Sequence, residues 1–118
     1  MTLQEGLQEL MTIDGALGAM VVDASSGMTL GMAGGGVNLE LAAAGNSEVV
    51  KAKLRTMRSL DLQDTIEDML ITLGKQYHII RPMANRPGLF LYLVIDRSRG
   101  NLALARFKSA EVEKSLTI

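Results

Sequence analysis

The chain contains no cysteine and no tryptophan. Without cysteine there can be no disulfide, no thiolate nucleophile and no cysteine-built zinc or iron–sulfur site. This usage agrees with a reducing, cytoplasmic setting. Aromatic residues make up only 3% of the sequence, which argues against a surface that stacks nucleobases. The N-terminal stretch carries Glu5 and Glu9 but no base, unlike the charged start of a signal peptide. The longest apolar run, Leu89–Ile95, falls far short of the roughly 18 residues that suggest a membrane span. A soluble cytoplasmic protein with no membrane span is expected.

What the chain does have is aliphatic bulk. Of its 118 residues, 47% are hydrophobic, eight of them Met, enough to build a core in one domain spanning 1–118. The net charge is −1, but the charges are segregated. Residues 1–37 hold Glu5, Glu9, Asp14 and Asp23 and no base, and Asp61–Asp68 adds four acids. From Met69 onward eight bases face three acids. Such polarity favours oriented association with a partner or a second copy, and the lack of a basic excess disfavours nucleic acid.

Leu3, Leu7, Leu10 and Met11 recur at helical spacing, with Thr2 as N-cap, and predict a short first helix. Ala16–Asp23 and Met28–Ala33 flank the turn residues Ala24–Gly27 and predict a hairpin. Small residues Ala16 and Gly18 on one face of it predict a helix packed close. Asn38 is placed to cap a long helix ending near Leu60. Its expected core stripe is Leu39, Ala42, Ala43, Val50, Leu54 and Met57. Glu40, Ser47, Glu48, Lys51, Arg55 and Arg58 form a polar stripe, and Gly45, Val49, Ala52 and Thr56 a third line of smaller groups. Gly45 costs a helix about 1 kcal/mol relative to Ala, so an unbroken helix there points to another helix approaching that line.

Three strands follow, Thr65–Thr72, Gln76–Pro82 and Leu89–Asp96, with connections short enough to force antiparallel neighbours. Leu89–Ile95 is apolar on both faces, which predicts a central strand. Thr65–Asp68 is charged on both faces, which suits an edge. A last helix is expected from about Asn101 to Leu116. The fold class is therefore α/β in the α+β sense: helix-β-β-helix-β-β-β-helix, a five-stranded antiparallel sheet with the long helix on one face and two terminal helices on the other.

Candidates for chemistry are few. Gly31–Gly36 follows a strand and precedes a helix, but lacks the Lys-Ser/Thr of a Walker loop and any GxGxxG, so a mobile loop is the simpler reading. His78 is the only histidine, and a metal there would need carboxylates such as Asp68. Ser25-Ser26-Gly27 is turn chemistry, not a nucleophile elbow. Asp96 opens the Asp-Arg-Ser-Arg-Gly turn and caps its amides. No acid, base and oxyanion donor assemble, so neither catalysis nor a cofactor is expected.

In this order of elements the chain resembles the roadblock family, named for the dynein light chain roadblock. The likeness lies in Asp14–Asp23 (DGALGAMVVD) with Gly27 at the hairpin turn, in Leu41–Gly45 (LAAAG), and in Ile66–Thr72 (IEDMLIT) before Gln76–Pro82. It ends with Leu89–Asp96 and Asn101–Arg106. The resemblance implies a homodimer, or a heterodimer with another roadblock-type chain. In such a dimer the third strands, here carrying Ile66, Asp68, Met69 and Ile71, pair into a continuous ten-stranded sheet with the long helices side by side. It also implies a non-catalytic regulator or scaffold for a small Ras-like GTPase, which suggests Glu48, Lys51, Arg55 and Arg58 as the docking stripe. The alternatives are a structural subunit of a larger signalling or motor assembly and a small-molecule sensor module, the latter calling for a large apolar pocket.

Overall fold

The computed structural model describes residues 1–118. The N-cap predicted at Thr2 forms and is part of a capping box, its hydroxyl accepting from the Glu5 amide while the Glu5 carboxylate accepts from the Thr2 amide, and α1 runs Leu3–Met11. Strand β1 (Ala16–Asp23) turns into β2 (Met28–Gly34), and α2 (Leu39–Ser59) follows with Asn38 as its N-cap. Then come β3 (Met69–Thr72), β4 (Gln76–Pro82), β5 (Leu89–Asp96) and α3 (Leu102–Ser115), the last capped by Asn101.

All strands join one antiparallel sheet in the order β2-β1-β5-β4-β3. The doubly apolar β5 is central, as its composition requires, and alternate residues feed two cores. Leu91, Leu93 and Ile95 pack with Leu7, Leu10, Ala105 and Val112 beneath α1 and α3. Phe90, Tyr92 and Val94 pack with Leu39, Ala43 and Val50 of α2. No helix is long and apolar enough to cross a membrane.

Several expectations need correction. Thr65–Asp68 is not strand: β3 begins at Met69. The Asp68 carboxylate is instead turned inward onto Arg106 (2.7 Å), with Arg81 3.9 Å away, so it does not mark a charged outer edge. Ser47 is buried, not on the polar stripe, because its hydroxyl donates to the Ala43 carbonyl one turn back (2.7 Å) and loses nothing by burial. Leu54, assigned to the core stripe, is 38% exposed where α2 overhangs an open cleft. No helix fills the space beside Gly18; the Gly35 carbonyl lies where its Cβ would be. Nor is the glycine run a free loop: the Gly35 amide bonds the Leu17 carbonyl at 2.7 Å, and Gln76 Nε2 bonds the Gly36 carbonyl at 3.3 Å.

Candidate interaction surface

Helix α2 passes through Gly45 without a break. Gly45, Val49, Ala52 and Thr56 are all exposed, and a Cβ at Gly45 would touch nothing. Val49, at 40%, leaves an aliphatic side chain in solvent. The Thr56 hydroxyl is spent internally on the Ala52 carbonyl (3.0 Å), so this line presents mostly carbon and backbone. On the adjoining stripe Lys51 and Glu48 pair at 2.9 Å, and that ammonium holds the Glu48 carboxyl below the usual carboxylate range. Arg55 and Arg58 are exposed and form no ion pair.

Helix α2 lies over β1 and β2. On that face Ile80 of β4 is still fully buried in the core beneath α2, and the surface opens only toward β3. Met69 and Ile71 share this face with His78 and Ile80, their register partners being Ile80 and His78 respectively. Ile71 is 36% exposed. The other margin of β3 pairs with nothing. The structure thus brings Met69 and Ile71 to an unpaired edge, Met69 half-buried against the α2 core and Ile71 exposed. Ile66 sits apart, on the wall of a cleft of about 880 Å³ shared with Val50, Leu54, Met83, Leu89 and Phe90. Asp68 is turned inward, its side chain only 7% exposed.

The sequence reading missed a polar chain on this face of the sheet. Tyr92, on the doubly apolar β5, is 1% exposed, and its hydroxyl lies 2.9 Å from His78 Nδ1. Gln76 donates its amide N–H to Gly36, which leaves Oε1 to accept from His78 Nε2 at 2.9 Å. His78 Nδ1 is then the acceptor and Tyr92 the donor, with the imidazole neutral. Burial pushes the Tyr92 phenol up, opposed by the hydrogen bond from Asn46 of α2. A hydroxyl on a strand apolar on both faces, two strand positions from the level of the sole histidine's partners, was the available signal.

Burial also pushes the His78 imidazolium below its ordinary value. The folded state therefore takes up this proton less readily than the unfolded chain, and stability should be lost as pH falls below about 6.5. Denaturant titrations at pH 7.5 and 5.5 should show a smaller pH difference in His78→Gln than in the natural chain. Equal differences in the two would contradict this placement. No group of carboxylates and histidine is arranged to hold a metal.

No family model and no curated protein matches the chain. Solved structures do. A Roadblock/LC7 domain from Streptomyces avermitilis is 14% identical, with 98% of this chain and 94% of that one covered at a TM-score of 0.82. Myxococcus xanthus MglB is 15% identical over 95% and 89% of the two chains, also at 0.82. A structure described as MglB with tetrameric arrangement is 15% identical over 96% and 83%, at 0.83. At such low identity the likeness concerns the backbone, and with three helices about a β2-β1-β5-β4-β3 sheet the chain has the roadblock fold.

Proposed function

We propose that the chain is a non-catalytic, dimeric roadblock-type protein that binds a small Ras-like GTPase and regulates or scaffolds it through the dimer surface. The observation that carries the reading is the unpaired β3 edge, together with the smooth, exposed line on α2. An unpaired strand offers donors and acceptors to another chain, and natural edges are normally blunted against this. The β2 edge is blunted: its register shifts opposite Val21–Val22, and the bulge interrupts pairing. Strand β3 is regular, and its residues Met69–Thr72 carry no charge.

Two copies joined there would extend the sheet to ten strands and bring the Gly45, Val49, Ala52 and Thr56 lines within reach of each other. Glu48, Lys51, Arg55 and Arg58 would remain outside the seam, as a charged stripe for the GTPase. Likeness in fold to MglB, one structure of which is described as tetrameric, supports an assembling protein.

Ala52→Arg should convert dimers to monomers by light scattering, whereas reversing Arg55 and Arg58 should leave the dimer and lower GTPase capture at least tenfold. Dimers that tolerate Ala52→Arg would move the helix contact elsewhere; unchanged capture would move the docking site. The cleft of about 880 Å³ favours a second reading, a module that holds an apolar small molecule. A hydrophobic fluorophore displaced from the dimer by one metabolite class would support it.

A further inference from the structure

We infer that two copies fix their register along the β3 edge by reciprocal charge contacts, Lys75 and Arg97 of one copy meeting Glu67 of the other. The inference rests on the proposed pairing of β3 edges.

It starts from charges the fold leaves unspent. Arg97 donates from Nη1 to the Leu73 carbonyl at 2.9 Å, and its amide bonds the Lys75 carbonyl at 3.0 Å. The guanidinium, 5.2 Å from the centre of the Tyr77 ring, is thereby held on the β3–β4 turn beside Lys75. Both side chains are exposed, and neither has a carboxylate within ion-pair distance. The nearest acid in sequence, Asp96, is occupied by Ser98 through its amide (2.9 Å) and hydroxyl (2.7 Å). At the other end of β3 the acids divide. Asp68 is taken by Arg106, and Asp64 accepts from the Thr65 amide at 2.8 Å. Glu67 is exposed and forms no ion pair, though it lies within Coulombic reach of Arg106.

The edge therefore has a cationic end and an anionic end. Antiparallel pairing about a twofold axis, with Met69–Thr72 fully overlapped, sets Leu70 opposite the partner's Ile71 and Met69 opposite the partner's Thr72. Two residues beyond each end, where the chain has left the strand, the same alignment brings Glu67 level with the partner's Gly74 and next to the partner's Lys75. The same contact recurs at the other end, as a twofold interface requires. Neighbouring strands lie about 4.8 Å apart, so the charges meet within the range where screening is weak. A slip of two residues moves each contact by roughly 7 Å and breaks both at once. Parallel pairing would set like charge against like. A strand with four uncharged residues specifies its register poorly by itself; the two flanking charge clusters specify it and the orientation.

The test is a charge swap in the full chain, followed by analytical ultracentrifugation at 50 and 500 mM salt, with far-UV circular dichroism to confirm folding. The natural chain should form dimers that weaken as salt rises. Lys75→Glu and Glu67→Lys should each weaken the dimer by roughly tenfold at low salt, since each change is felt at both ends. The doubly swapped chain should recover part of the lost affinity and salt dependence, Arg97 still facing the cation placed at position 67. A double variant no tighter than the single ones, or single variants as tight as the natural chain, would overturn the inference and leave the β3-paired dimer standing. A natural chain monomeric at high concentration would overturn both.

Discussion

Gly34→Ala should lower the unfolding free energy by about 3 kcal/mol or more, while Gly35→Ala should leave it within about 1 kcal/mol of the natural value. Gly34 has φ +72°, in the left-handed region. A Cβ there would run into the Leu17 carbonyl oxygen, and the Met11 methyl would be 2.7 Å away. The first obstacle is backbone in a paired strand and cannot step aside. At Gly35 a Cβ meets nothing within 4 Å and φ is not positive, so the loss of unfolded-state freedom is the main effect. Urea titrations of both variants decide the matter. If the two are equally stable, the glycine run is not the fixed connection between the sheet edge and α2 described above.

Glu113→Ala should be almost as damaging, at roughly 3 kcal/mol. Its side chain is 8% exposed and takes Arg81 Nε at 2.6 Å and the Ala84 amide at 2.8 Å. Removing it strands a guanidinium only 18% exposed, with Asp68 no nearer than 3.9 Å, and leaves the β4–β5 loop untied from α3. Arg106→Ala, at the outer end of the same cluster, should cost less, about 1–2 kcal/mol: that side chain is 48% exposed, but its loss leaves Asp68, 7% exposed, with only Arg81 at 3.9 Å. Thermal and denaturant melts would measure both, and equal losses would mean that burial does not rank these ion pairs.

Much of this architecture was legible in the sequence because periodicity, caps and turns agree. Thr2, Asn38 and Asn101 each sit where a helix begins, and Asp96 accepts from the Ser98 amide as its turn position demands. Leu89–Asp96 declared its central place by being apolar on both faces. What could not be read depends on partners distant in sequence. Nothing near Asp68 announces Arg106, 38 residues on, as its partner. Gly18 signalled a close approach, but a small residue does not say whether a helix or another glycine's carbonyl will occupy the space. The surface was legible in part: Gly45, Val49, Ala52 and Thr56 follow from helical spacing, and all lie exposed. That Lys75, Arg97 and Glu67 stand outside every ion pair shows only once the pairs of the folded chain are known.

The pairing of β1 with β5 also governs how the chain reaches this state. Ala16 lies across from Ile95, so the first strand meets its inner neighbour only after nearly the whole polypeptide has been laid down. Long loops must close before that contact rewards them, and a helical bundle of equal length should fold faster. During synthesis the β1–β2 hairpin waits with Met20, Val21 and Val22 unsheltered, and Ala24–Asn38 offers no charge to discourage clumping. Nascent chains stalled before Leu89 should consequently be the species that chaperones hold and proteases find.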